Sequence, residues 1–170
     1  MKLDEAKQQF ITTWGAMGSN WGVNRTMAQL HALMLISNEP LSTEDIMAQL
    51  NISRGNANMN IRALIDWGLV EKLHKLGERK EFFQAEKDLW KVATRIAKER
   101  RKRELAPILD ALDDLRDIND SDADPNDIKK FTKQMDDLEG FTGRVDDLLE
   151  RLVRADEHWF LGIATRLLKK

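Results

Sequence analysis

Cysteine is absent from the 170 residues, which excludes disulfide scaffolds, thiolate metal sites and cysteine nucleophiles together and fits a reducing cytoplasm. Tyrosine is absent too, aromatics make up 6% of the chain and prolines number 3, so an all-β design, which draws on aromatic and β-branched residues, is disfavoured. No stretch approaches the roughly 18 uninterrupted apolar residues of a membrane span. The start, Met1-Lys2-Leu3-Asp4-Glu5, lacks the basic-then-apolar order of a signal peptide. A soluble, cytoplasmic protein without membrane contact is expected. Phosphate loops and dinucleotide fingerprints are missing, and His31, His74 and His158 stand far apart with no metal-ligand spacing. The acid pairs Asp113-Asp114 and Asp146-Asp147 would diverge by about 100° on a helix and read as solvated faces. No catalytic residue, metal or cofactor is therefore assigned.

What is present is 42% apolar residues, enough for a real core, and 33% charged ones. The net charge of −2 hides a division after Arg103: residues 1–103 carry 17 Lys and Arg against 12 Asp and Glu, residues 104–170 carry 10 against 17. Only the basic first part suits a polyanion, since phosphate binding runs on Lys and Arg displacing counterions.

Apolar spacing of three to four residues predicts a helix from Asp4 to Trp14 (Ala6, Phe10, Ile11, Trp14), interrupted by Gly15 and Gly18. A second, central helix is expected from near Asn20 to the Asn38-Glu39-Pro40 turn. Ser42 reads as a cap before the first-turn acids Glu44 and Asp45 of a two-turn helix, and Ser53 caps the next, whose Ala57, Ile61, Leu64 and Ile65 repeat until Gly68. Leu69–His74 and Glu81–Ala85 around the turn Gly77-Glu78-Arg79-Lys80 predict a hairpin. A helix follows beyond Lys87, kinked or restarted at Pro107. After an acidic loop over Asn119–Asn126, two closing helices are expected: one with Ile128, Phe131, Met135 and Leu138, and, past Gly140, one with Phe141, Val145, Leu148, Leu149, Leu152, Trp159, Ile163 and Leu167. Stripes this long call for a second copy of the chain.

The order helix, helix, turn, helix, strand, charged turn, strand is the plan of a winged helix, whose last helix enters a major groove. The expected fold is mainly α with a small β-hairpin wing: a winged helix-turn-helix DNA-binding domain over residues 1–105 (reading head 40–85, wing 69–85) and a C-terminal helical dimerisation region over 106–170. With Ala57, Ile61 and Leu64 inward, Gly55, Met59, Arg62 and Asp66 face out, flanked by Arg54, Asn56 and Asn58. Arg54 and Arg62 can read guanine or clamp phosphate, Asn56 and Asn58 can pair with adenine, Met59 can meet a thymine methyl, and Gly55 admits the backbone closely. These, with Ser53 at the helix start and Lys75, Arg79 and Lys80 on the wing, form the expected site for double-stranded DNA. The basic run Lys98–Arg103 suits solvated surface first, phosphate contact or pairing with acidic helices second. The alternative use of the same fold is a protein interaction module without DNA binding; its docking face would favour apolar anchors over the Arg, Asn and Gly present here.

The chain resembles the MarR-like winged helix regulators, and within them the GbsR branch named for repressors of glycine betaine synthesis. The stretches that carry the resemblance are Met17-Gly18-Ser19-Asn20-Trp21-Gly22, Arg25-Thr26-Met27-Ala28-Gln29-Leu30-His31-Ala32-Leu33, Pro40-Leu41-Ser42, Ile52-Ser53-Arg54-Gly55-Asn56, Trp67-Gly68-Leu69-Val70 and Gly77-Glu78-Arg79-Lys80. They cover roughly residues 14–105; the acidic tail matches in general character alone. The resemblance implies a homodimeric transcriptional regulator, often a repressor, on the half-sites of an inverted repeat. It also brings in a small-molecule effector, a quaternary ammonium compound, held in an aromatic cage for which Trp14, Trp21, Trp67 and Trp90 are the candidates; core packing at helix junctions is the commoner use of such indoles.

Overall fold

A computed structural model describes residues 1–115, 118, 120 and 123–154; Trp159, Ile163 and Leu167 lie outside them. The chain divides into two compact units, Met1–Val92 and Ala93–Lys170.

The first unit opens with α1 (Leu3–Asn20), whose N-terminal turn carries Asp4 and Glu5 where the helix dipole favours negative charge. The helix is not interrupted at Gly15 and Gly18, as their type alone suggests. It runs through both because they face α2 (Arg25–Ile36): a Cβ at residue 18 would stand 2.5 Å from the Ala28 Cβ, and one at residue 15 would stand 2.5 Å from the Gln29 Cγ. The missing side chains let the two helices approach closely. Gly18→Ala is accordingly expected to destabilise the fold. Overpacking against a rigid Cβ costs about 1–3 kcal/mol, which outweighs the helix propensity gained, about 1 kcal/mol at most. Gly143→Ala, in a helix position with nothing within 4 Å of the added carbon, is the control and should be neutral or stabilising; urea unfolding midpoints compare the two.

The second helix starts at Arg25, five residues later than expected, because Gly22 turns the chain with φ +75° and the Asn24 side-chain Oδ1 accepts a hydrogen bond from the Met27 amide at 3.1 Å. Met27, Ala28, Leu30, Ala32, Leu33 and Met34 are all buried, which makes α2 the centre of the unit. After it come β1 (Leu41–Ser42), α3 (Thr43–Leu50) and α4 (Arg54–Asp66). Both serine caps form. Ser42 and Asp45 close a capping box, the Ser42 Oγ accepting from the Asp45 amide and the Asp45 carboxylate accepting from the Ser42 amide at 2.9 Å. The Ser53 Oγ accepts from the Asn56 amide. Between the helices Asn51 takes a left-handed conformation, φ 51°, which asparagine tolerates better than most side chains.

The hairpin consists of β2 (Val70–His74) and β3 (Glu81–Ala85), antiparallel with Val70 opposite Ala85 and His74 opposite Glu81. A third strand was not anticipated: β1 pairs with the other edge of β3, Leu41 opposite Phe83 and Ser42 opposite Phe82. Two residues are too few to show an alternating pattern. With β3 central, both Phe82 and Phe83 are buried, one on each face.

From Leu89 the chain is helical: α5 (Leu89–Arg100), a π-helical turn (Arg101–Leu105) and α6 (Ala106–Asp114). Pro107, in the first turn of α6, has no amide to donate back, and the widened turn before it absorbs the break. In the second unit the Arg101 guanidinium grips Asp146 with two hydrogen bonds, one of 2.7 Å, and reaches Glu150 at 3.3 Å. Of the uses foreseen for the basic run, pairing with an acidic helix is therefore the one Arg101 takes. That helix is α7 (Pro125–Arg154), a single rod of 30 residues where two helices parted by Gly140 were expected. The apolar spacing of three and four continues across the glycine, through Leu138, Phe141 and Val145, and one helical glycine costs only about 1 kcal/mol.

Candidate nucleic-acid interface

Helix α4 rests on Ala57, Asn60, Ile61 and Leu64, all buried. The three apolar positions are those the periodicity selects. Asn60 is an addition: at 3% exposure its Nδ2 donates to the Asn56 backbone carbonyl at 2.9 Å and to the Asn56 Oδ1 at 2.6 Å. The pair ties the first turn of α4 to its second and leaves the half-buried Asn56 with its side-chain oxygen engaged.

The opposite face of α4 is open. Arg54, Gly55, Asn58, Met59 and Arg62 are exposed, Met59 to 59%. Ser53 is exposed as well, its hydroxyl spent on the cap. On the wing, Lys75, Arg79 and Lys80 are exposed, and the Lys75 ammonium sits 4.3 Å above the Phe82 ring, a cation–π contact that steadies its stem.

Two carboxylates border this basic surface that no reading of α4 alone reveals. Glu44, in the first turn of α3, accepts a 2.8 Å hydrogen bond from the Arg54 Nη2. That bond, then one from its own amide, with the charges of Arg54 and Lys80 adding less, holds the Glu44 carboxyl below the usual carboxylate range. Glu81, at the start of β3, pairs with Lys72 and is lowered first by that hydrogen bond, with smaller contributions from the charges of Lys72, His74 and Arg62. Asp45 is lowered by its hydrogen bonds with Ser42, and Lys80 and Lys75 contribute charge. The wing cations, the start of α4 and the start of α3 thus share one electrostatic neighbourhood. The sequence signal was present in Glu44 and Glu81 themselves, but only tertiary structure sets them beside Arg54 and Arg62.

Behind this surface two side chains support α2. The Lys87 ammonium donates to the carbonyls of Met34, Leu35 and Ser37 at 2.8, 2.6 and 2.8 Å. It satisfies acceptors at the C-terminal end of the helix, where a cation is also favoured by the dipole; burial pulls its own pKa down. His31 is 3% exposed and its Nε2 has no hydrogen-bond partner among the described residues. Of the tryptophans considered for a cage, Trp14 packs against Phe10 (centroids 5.4 Å apart) and His31 (6.2 Å). Trp21 ends α1 at 56% exposure, Trp67 ends α4, and Trp90 lies in the first turn of α5.

A helix-turn-helix whose second helix carries an exposed basic and amide face, followed by a hairpin with a charged tip that pairs back onto the short strand before α3, defines a winged helix domain. Residues 21–80 match the MarR family, so this part of the chain is similar to that family's domain. Over 114 residues the chain is 24% identical to the HTH-type transcriptional repressor GbsR of Bacillus subtilis (strain 168), covering 67% of this chain and 63% of the repressor. The chain thus spans less than two thirds of that relative's length. A solved structure described as a crystal structure of a transcriptional regulator shares the fold with a TM-score of 0.65 at 20% identity, covering 87% of this chain and 95% of that one.

Proposed function

We propose that the chain is a sequence-specific DNA-binding transcriptional regulator, a repressor working as a homodimer on an inverted repeat. The observation that carries this reading is the exposed face of α4, where Arg54, Asn58, Met59 and Arg62 offer guanidinium, amide and thioether groups suited to base edges. Arg79 and Lys80 on the wing take the phosphates beside them. The match to the MarR family and the likeness to a named repressor support it. An interaction module without DNA binding is the poorer reading, because Met59 is the single large apolar anchor on that face.

The dimer follows from reach and from unpaired surface. One recognition helix reads only a few base pairs, so a genomic address needs two heads. Phe131, Leu138, Phe141 and Leu148 of α7 are 41–59% exposed, and a second copy of the chain is the occupant proposed for that stripe. The test is recovery of genomic fragments bound by the purified chain, with its mass in solution measured by sedimentation. A dimer enriching a few fragments that share an inverted repeat, half-sites about one helical turn apart or a small multiple of it, is expected. A monomer, or fragments no different from bulk DNA, would contradict the proposal.

A further inference from the structure

We infer that Glu44 is a positioning residue for sequence reading: it keeps the Arg54 guanidinium off the phosphates and aims its free edge at a base. The inference rests on the DNA-reading assignment of α4 and adds to it a residue outside that helix.

Arg54 opens α4, and its Nη2 is held by the Glu44 Oε1 at 2.8 Å while both side chains stay half exposed, 59% and 45%. A guanidinium has five donors in a planar fork, so one carboxylate oxygen on Nη2 leaves most of the fork open to an incoming acceptor. An exposed carboxylate beside Lys80 and Arg54 weakens attraction for phosphate at that point. On a surface built to bind a polyanion it would be a liability unless it acted on something. What it touches is Arg54. Without Glu44 the long arginine side chain is released to the nearest phosphate, where it adds affinity for any sequence and discriminates none. Because an exposed ion pair holds its partners only weakly, the shift should be modest and visible chiefly as a loss of selectivity.

The test uses the full chain, a pool of random-sequence duplexes, and the variants Glu44→Gln, Arg54→Ala and the double variant. Each protein selects from the pool, and affinities for the parent's selected duplex and for the unselected pool are measured across a salt series. For Glu44→Gln, affinity for unselected DNA should rise roughly two- to fivefold, and its salt dependence should steepen by the equivalent of about one phosphate per head. Base preference should fade at the same position that Arg54→Ala loses, and the double variant should have the base preference of Arg54→Ala. Retention of the parent's preference and salt slope by Glu44→Gln would overturn the proposal while leaving DNA reading intact. So would loss at a position different from that of Arg54→Ala, since Glu44 would then read a base directly. Failure of the parent to select any sequence would remove the DNA reading itself, and this inference with it.

Discussion

Between pH 7 and pH 5 the winged helix unit should lose about 2 kcal/mol of folding stability through His31 alone. The imidazole is 3% exposed, and its Nε2 has no hydrogen-bond partner among the described residues. Burial, with a smaller push from the Lys87 charge, lowers its pKa from 6.5 to about 4. In the unfolded chain the ring takes up a proton near pH 6.5; in the folded chain it resists until about pH 4. The unfolded state therefore binds more protons throughout that window. Stability is full above pH 6.5 and falls as pH drops towards 4, by about 1.4 kcal/mol for each pH unit within it. Glu44, Asp45 and Glu81 are all lowered from their ordinary values, so their stabilisation is lost chiefly below pH 5, and the fall between pH 7 and pH 5 is the histidine's. Urea unfolding of the full chain followed by tryptophan fluorescence, with Trp14 6.2 Å from the His31 ring, measures it. His31→Leu should flatten stability between pH 7 and pH 5, and an unchanged slope in that variant would show that the buried ring is not its source.

Arg62→Ala should weaken binding to a selected duplex by roughly 10- to 100-fold while changing affinity for random-sequence DNA only a few-fold. Arg62 stands on the exposed face, one turn beyond Asn58 and Met59. A guanidinium at that depth on a recognition helix can fork onto the guanine O6 and N7, and the loss of a bidentate contact is felt only where that guanine is present. Glu81 pairs with Lys72, and its carboxyl is lowered only slightly by the Arg62 charge. Binding isotherms on the two duplexes at one salt concentration separate the cases: equal losses on both would make Arg62 a phosphate clamp, and no loss on either would remove it from the interface.

The parts of the fold that were legible in the sequence are those whose cause is local. Ser42 and Ser53 announce helix starts because a hydroxyl accepting from an amide three residues on is a one-turn event. Gly68 announces a stop because a left-handed residue, here φ +70°, ends a helix without help from elsewhere. Ala57, Ile61 and Leu64 give the buried face of α4 directly. What escaped depends on a partner distant in sequence. Gly15 and Gly18 look like breaks until Ala28 and Gln29 are seen against them. The β1 strand exists only because β3 is there to pair with it. The basic face is likewise readable along α4, but its acidic border is not, because Glu44 and Glu81 arrive from other elements. Lys87 reaches back more than 50 residues to cap α2, a contact that no spacing rule suggests.

The measurement that bears most directly on the account is the affinity of the purified chain for duplex DNA as a function of salt. If α4 and the wing meet phosphates as described, log K falls linearly with log salt, with a slope of about −0.9 for each phosphate neutralised. Arg54, Arg62, Lys75, Arg79 and Lys80 of each head would together make that fall steep. Absence of binding at low salt, or binding indifferent to salt, would contradict it.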